Sequence, residues 1–414
     1  LLQDESRRSS EVKNKFAPLI EFLGLRRSIV GLLTMVVLVG LGEKMAERFL
    51  PMYLLALGAS PLIPGLLNGM DNLLSALYSY PGGWLTEKIG YKRALAVFNL
   101  IAMSGYLIVI AIPHWIAVVV GSVFFLSWTA LSLPATMELV STVLPKNKRT
   151  MGVSVHSLVR RIPMAIGPVI GGILIDIYGV KTGIRLSFGV AFVLGAVSLI
   201  IQQGMITEKH EKKDNENSGL LKNFAAMPKE LKSLLASDIL IRFCEQIPYA
   251  YLAIWAMLSV DGAKISGTEF GILTAIEMTV ALLIYIPVAY LADKGSKKPF
   301  VLITFFNFAV FPIVLYFSTS FWMLVIAFVI RGLKEFGEPT RKALIMDLAP
   351  EGKKASTFGS YYLIRDTIVS IAAFASAWLW QVSPGVNFMT AAAFGIIGTV
   401  LFAVKGRDVE KSIN

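Results

Sequence analysis

Acidic and basic side chains sit inside long apolar stretches of this sequence, where an uncompensated charge is costly and marks an ion pathway, a proton relay or a buried pair. The first stretch carries Glu43, Lys44, Glu47 and Arg48, and Asp71 lies near the middle of the second. Arg160 and Arg161 interrupt the fifth, Arg242 and Glu245 the seventh, Glu277 the eighth, Arg331 and Glu335 the tenth, and Arg365 and Asp366 the eleventh. Two kinds of chemistry follow. A desolvated carboxyl holds a proton nearer neutral pH and can load and release it as its access to water changes, so Glu43, Glu47, Asp71 and Glu277 are candidates for proton coupling. Planar guanidiniums recognise carboxylates and phosphates through paired hydrogen bonds, so Arg160, Arg242, Arg331 and Arg365, with Glu245 and Glu335, are candidates for substrate binding.

A permanent structural ion pair competes with each reading. Glu43 and Glu47 share one helical face at i,i+4 and Lys44 and Arg48 the adjacent one, so pairing within that helix is open for Glu47. Glu277 is flanked by Ile276 and Met278 and has no base within its own helix, which favours the functional reading there.

The elements that carry these residues are membrane helices. The chain has 414 residues, 55% hydrophobic and only 16% charged, against roughly 25% charged in an average soluble domain. Apolar runs long enough to span a bilayer read as helices over 29–56, 62–84, 94–112, 115–144, 150–177, 183–204, 233–258, 268–291, 299–317, 321–348, 354–380 and 386–404. The net charge of +11 is not a nucleic-acid signature, because the bases fall in alternate loops: Arg7 to Arg27, Lys88 to Arg93, Lys146 to Arg149, Lys209 to Lys213, Lys294 to Lys298, Lys353 and Lys354, and Lys405 and Arg407. That bias places both termini in the cytoplasm. No short apolar stretch with a cleavage site precedes the first span, which is expected to act as an uncleaved targeting signal. Phe16, Leu19, Ile20 and Leu23, and Leu221, Phe224, Met227, Leu231 and Leu234, either lie flat on the membrane surface or form early turns of the next span.

Cys244 is the single cysteine, so intrachain disulfides are excluded, and the three histidines are far apart. No metal site, cofactor, nucleophile elbow or ATP-binding loop is expected, which argues against an enzyme.

The two halves of the chain repeat. Pro134, Pro145 and Arg160 recur with the same spacings as Pro339, Pro350 and Arg365, at an offset of 205 (339 − 134). The loop Gly83-Trp84-Leu85-Thr86-Glu87-Lys88-Ile89-Gly90-Tyr91-Lys92-Arg93 has a counterpart at Ala289 to Pro299 that contains Asp293 and Lys294. Internal duplication of this kind is common in transporters. The polar stretch Glu208 to Ser218 separates the halves, giving a cytoplasmic segment 1–28, a six-helix bundle 29–204, a linker 205–232, a second bundle 233–404 and a tail 405–414. The repeat makes Arg160 and Arg365 symmetry mates. They either clamp an anionic substrate from both halves, or pair within each half, Arg365 with an acid such as Glu335 or Glu338.

The duplicated loop resembles the signature of the major facilitator superfamily, a Gly-x-Leu-Ala-Asp-Arg-x-Gly-Arg-Arg pattern between the second and third helices with a weaker copy between the eighth and ninth. Glu87 stands for its acid and Lys88 for its first base, while Tyr91 replaces one basic residue. The resemblance implies an all-α membrane protein of twelve transmembrane helices in two pseudo-symmetric six-helix bundles. It also implies that Gly83, Glu87, Lys88, Gly90, Lys92, Arg93, Asp293 and Lys294 form gating loops that latch the two halves. Gly167-Pro168-Val169-Ile170-Gly171-Gly172 is similar to the core of the signature carried by the antiporters of that family, although Ser154 and Pro163 stand where the longer signature has glycine. The expected protein is a monomeric secondary active transporter of the cytoplasmic membrane. It moves a small organic molecule by alternating access with proton coupling, export being favoured. An importer or exchanger of organic anions using Arg160 and Arg365 is the alternative, and a non-transporting receptor is the reading from another class.

Overall fold

The computed structural model describes residues 26–126, 128–144, 156–207, 224–294, 296–350 and 354–407. The segments around Phe16 and Leu221, the linker Glu208 to Ser218, the cluster Lys146 to Arg149 and Pro145 lie outside these residues, as do the side chains of Asp293 and Lys294. Helices alone carry the described chain, with no strand among the described residues. In chain order they are α1 (Arg27–Glu47), α2 (Leu50–Ala56), α3 (Leu62–Ile89), α4 (Tyr91–Ala111), α5 (Trp115–Phe125), α6 (Trp128–Val143), α7 (Arg161–Met205), α8 (Lys229–Tyr249), α9 (Leu252–Leu258), α10 (Gly267–Lys294), α11 (Lys298–Tyr316), α12 (Phe321–Leu333), α13 (Glu338–Leu348), α14 (Lys354–Val382) and α15 (Pro384–Lys405).

Backbone groups in a bilayer must be satisfied within the segment, which is why apolar runs of this length become helices. Three serve-and-stop devices set the ends. Ser320 and Ser383 accept from the backbone N–H of Met323 and Val386, capping α12 and α15, and Pro384 opens α15 where its missing N–H costs nothing. Gly179, at φ 77° and ψ 163°, folds α7 back on itself, so that it supplies the fifth and sixth crossings. Gly90, at φ 84°, does the same work between α3 and α4.

Several expected helices are broken rather than continuous. α1 stops at Glu47 and α2 restarts at Leu50, with Pro51 in its first turn. α13 likewise begins after a turn at Lys334–Gly337 with Pro339 in its first turn. A proline removes the hydrogen bond to the carbonyl four residues earlier, here those of Glu47 and Glu335. The breaks therefore fall at charged residues. The expected loop at Gly83 to Arg93 is a correction of the opposite sense: α3 runs through Ile89 and only Gly90 separates it from α4. Met227, Leu231 and Leu234 are buried against Val301, Phe305 and Leu344, so this stretch enters the core instead of lying on a surface.

Eight helical stretches among the described residues are by themselves long and apolar enough to cross a membrane, the long α7 stretch counting once for two crossings. The crossings that fall short are α3, α8–α9 and α12–α13. Each of them gives polar side chains to the central cavity described below.

The halves meet along two seams, α7 against α10 and α3 against α14. Both are built on small residues. A Cβ on Gly172 would stand 2.1 Å from the Gly267 carbonyl oxygen, one on Gly271 2.5 Å from that of Pro168, and one on Gly65 2.8 Å from the Ala377 backbone. A polar clasp reinforces the first seam: both carboxylate oxygens of Asp176 accept from the N–H groups of Gly267 and Thr268, each at 2.8 Å, at the start of α10. Tyr251 donates to the Pro61 carbonyl at 3.0 Å and stacks on Trp380 at 4.3 Å beside the second.

Asp176 thus caps a helix of the opposite half, an interaction of about 1 kcal/mol. Asp176→Ala should enrich separation of the halves at this end about fivefold. Spin labels at Ser60 and Val260 read the distance between the halves directly; an unchanged distance distribution would show that the cap does not hold them.

Candidate functional site

A cavity of about 530 Å³ lies between the halves. The first half lines it with Arg48 at the α1–α2 break, Asn68, Asp71, Asn72 and Ser75 on α3, and Ser157, Arg160, Arg161 and Met164 near the start of α7. The second half lines it with Arg242, Glu245, Gln246 and Tyr249 on α8, Glu277 and Met278 on α10, Arg331, Lys334 and Glu335 around the end of α12, and Lys342 on α13. The Lys342 side chain is 46% exposed and marks where the cavity reaches the exterior, at the end opposite the Asp176 clasp. A smaller, mostly apolar recess continues from it past Arg48, Asn68, Asp71 and Tyr249 to Leu50, Pro51, Leu67 and Phe270.

Most of the candidate charges are paired across helices. Glu277 accepts from the Arg331 Nε at 2.9 Å and lies 3.4 Å from the Lys334 ammonium, with both Arg331 and Glu277 almost fully buried. Lys334 also bonds Glu245 at 2.8 Å, and Glu245 bonds Arg242 at 2.5 Å. The Arg331 guanidinium lies over the rings of Phe311 and Phe328, at 5.2 and 5.8 Å from their centroids, a favourable cation–π placement. Lys44 holds both Glu43 and Glu47, and Tyr249 donates to Glu47 across the halves at 3.2 Å. Arg161 reaches across to Glu335 at 2.9 Å.

Arg365 is placed elsewhere. Its guanidinium contacts Asp238 at 3.3 Å and Asp366 at 2.7 Å, inside a buried cluster with Arg341, Glu338 and Tyr361, and it does not line the cavity. Arg160 does line it, so the structure does not bring the two symmetry-related arginines together. The acid that meets Arg365 comes from α8 and not from the tenth crossing.

Asp71 and two arginines differ from the rest. The Asp71 Oδ1 is buried without a hydrogen-bond partner. Arg48 and Arg160 make no ion pair among the described residues; Arg48 instead lies 5.1 Å from the Tyr249 ring centroid. Asn68 and Asn72 both donate to the Gln246 Oε1, at 3.4 and 3.1 Å, joining the halves through neutral groups.

Lys88, Tyr91 and Lys92 of the gating-loop stretch contact residues of their own half. Lys92 donates to the Gln203 carbonyl at 2.9 Å, Tyr91 to that of Thr207 at 2.8 Å, and Lys88 lies over the Trp84 ring, while Glu87 and Arg93 are exposed. Gly82, rather than Gly83, makes the close approach there, since a Cβ on it would meet the Leu131 oxygen at 2.5 Å. Gly167 and Gly171 let α7 pack on Lys44 and Met45 of α1, and Gly172 packs on α10. The antiporter-like segment therefore packs α7 on α1 through Gly167 and Gly171 and on the opposite half through Pro168 and Gly172.

The sequence pattern of the Major Facilitator Superfamily matches residues 32–261 and 234–413. The chain belongs to that superfamily. It is 20% identical over 372 residues to an uncharacterized MFS-type transporter, MJ1317, of Methanocaldococcus jannaschii, covering 87% of this chain and 90% of the other. It is 25% identical over 365 residues to the inner membrane transport protein YajR of Escherichia coli, covering 86% and 78%. Over 186 residues it is 27% identical to the quinolone resistance protein NorA of Staphylococcus aureus, covering 45% of this chain and 46% of that one. Among solved structures, a POT family transporter in complex with 5-aminolevulinic acid superposes with a TM-score of 0.75 at 14% identity, over 92% of this chain and 96% of the other. The nucleoside transporter NupG does so with a TM-score of 0.74 at 12% identity, over 92% and 100%. The superfamily member described here is thus an integral, multi-pass transporter of the two-bundle fold and not an enzyme.

Tyr249, Gln246, Asn68, Asn72, Lys334 and Asp238 were not among the sequence candidates. Polar residues at membrane depth were the available signal, and Asn68 with Asn72 at i,i+4 was the clearest instance. Removing one member of a buried pair leaves the other uncompensated, at about 3–5 kcal/mol. Glu277→Gln should therefore lower the unfolding midpoint of the purified transporter strongly, and adding Arg331→Met should recover part of the loss. Additive losses in that double-mutant cycle would show that the pair is not coupled.

Proposed function

We propose that this superfamily member is a proton-coupled secondary transporter of small organic molecules, with Asp71 as its principal proton carrier. One observation carries the choice of residue. Among Glu43, Glu47, Asp71 and Glu277, Asp71 alone keeps a buried carboxylate oxygen without a partner while lining the cavity between the halves. Glu277 is already neutralised by two bases, and Glu43 and Glu47 share Lys44. A group that loads and releases a proton in each cycle must change its charge without dismantling a fixed pair.

Alternating access is supported by the contrast between the two ends. Tight glycine seams and the Asp176 clasp join the halves at one end, whereas the cavity extends to the exposed Lys342 toward the other. The distribution of Lys and Arg supports a cytoplasmic position for that open end and for both termini, in the cytoplasmic membrane. The antiporter-like Gly-Pro segment and the partial likeness to the quinolone resistance protein NorA support export. The transporter works as a monomer in this reading, each chain holding a whole cavity.

Everted membrane vesicles test the assignment. A fluorescent quinolone and a panel of charged and neutral dyes should move on imposing a pH gradient, and Asp71→Asn should abolish gradient-driven movement while substrate exchange without a gradient persists. Gradient-driven movement at wild-type rate in Asp71→Asn would remove Asp71 from the coupling role.

A further inference from the structure

The walls of the central cavity carry more positive than negative charge, and the excess is localised. Seven basic and four acidic side chains line it. Arg161, Arg242, Arg331 and Lys334 are matched by Glu335, Glu245 and Glu277, and Lys342 at the mouth lies 3.4 Å from Glu338. Arg48 and Arg160 are left without an ion pair among the described residues. The acids on the α1 side, Glu43 and Glu47, are occupied by Lys44, and Glu47 additionally by Tyr249.

A guanidinium cannot shed its proton to escape a low-dielectric site, unlike a lysine or a carboxyl. Its charge must be met by water or by an anion, and a carboxylate or phosphate meets it with paired, charge-assisted hydrogen bonds. Arg48 lies 5.1 Å from the Tyr249 ring centroid and makes no ion pair with a carboxylate among the described residues. Both arginines belong to the first half, and the Asn68–Asn72–Gln246 amide cluster bridges from the same wall to the second.

We propose that Arg48 and Arg160 form the subsite for the anionic group of the transported molecule, so that the substrates are small organic anions bearing a carboxylate or a phosphate ester. The assignment deepens the transporter reading above and rests on it. The apolar recess beside Arg48, walled by Leu50, Leu67 and Phe270, takes a compact hydrocarbon or aromatic group attached to that anion. A cavity of about 530 Å³ is large enough for such a molecule. The anion subsite replaces the Arg160–Arg365 clamp, because Arg365 is committed to Asp238 and Asp366.

The experiment is equilibrium binding to the purified full chain in lipid nanodiscs without a proton gradient, read as a shift of the thermal unfolding midpoint. The probes share one skeleton: 3-phenylpropionate, 3-phenylpropanamide, 3-phenylpropylamine and 2-phenylethyl phosphate, with inorganic phosphate alone as a fifth arm. The carboxylate, the phosphate ester or both should stabilise the protein, and the two anions distinguish the source of the negative charge. The amide, the amine and inorganic phosphate should do so at least tenfold less effectively. Arg48→Gln and Arg160→Gln should each weaken anion binding about tenfold or more, with Arg48→Lys and Arg160→Lys recovering part of it. Equal stabilisation by amine or amide, saturation by inorganic phosphate alone, or no stabilisation by either organic anion would overturn the proposal. So would unchanged affinity in folded Gln variants; should those variants fail to fold, the charge selectivity of the wild-type protein decides. Because the readout is binding to the wild-type chain and its arginine variants with no gradient applied, it does not depend on proton coupling, and the two proposals fail separately.

Discussion

Charges placed inside an apolar bundle must be paired or wet, and much of this architecture follows from how they are paired. Glu277 on α10 and Arg331 on α12 are nearly inaccessible, at 1% and 3% side-chain exposure, and sit 2.9 Å apart. Breaking such a pair costs several kcal/mol even where forming it gains little. Lys334 links it to Glu245, Glu245 to Arg242, and Arg242 through Glu338 to Arg341 and Asp238. Three crossings of the second half, α8–α9, α10 and α12–α13, are therefore fixed to one another by a continuous ionic chain. In the first half Lys44 joins Glu43 and Glu47 of its own helix, and the seams between the halves rest on glycine packing.

That difference fits a body made to move as two parts. The contacts between halves are individually weak: a shared helix cap at Asp176, a tyrosine hydroxyl on the Pro61 carbonyl, close backbone approaches at Gly65, Gly172 and Gly271, and the Arg161–Glu335 pair. Contacts of about 1 kcal/mol can be exchanged during a cycle, whereas the buried ionic chain within the second half cannot.

The helix breaks connect this mechanical division to the cavity. Pro51 and Pro339 each interrupt a crossing just after charged residues, at Glu47–Arg48 and Lys334–Glu335. At the second break the Glu335 carbonyl accepts from the Glu338 N–H instead, and irregular backbone of this kind is tolerated at membrane depth where it lines a polar cavity. The three crossings that are too polar or too short to qualify as spans by themselves, α3, α8–α9 and α12–α13, all face it. Their poor hydropathy is thus a record of what they line.

The sequence by itself determined the number and order of crossings, the duplication and the inventory of charges at depth, because hydropathy, proline spacing and loop charge are local properties of the chain. It also listed Asp71 among the proton-coupling candidates and Arg160 among the substrate-binding ones. It did not determine partnership. Glu277 read as solitary because its bases lie on α12, some fifty residues away, and Arg365 stayed open between a clamp and a pair within its half because symmetry in sequence says nothing of which face a side chain occupies. Continuous apolar runs likewise concealed the breaks after Glu47 and Leu333, and the duplicated loop concealed that α3 runs on to Ile89. Only the packing of helix against helix decided which charges neutralise each other, and so which of those lining the cavity, Asp71, Arg48 and Arg160, make no ion pair among the described residues.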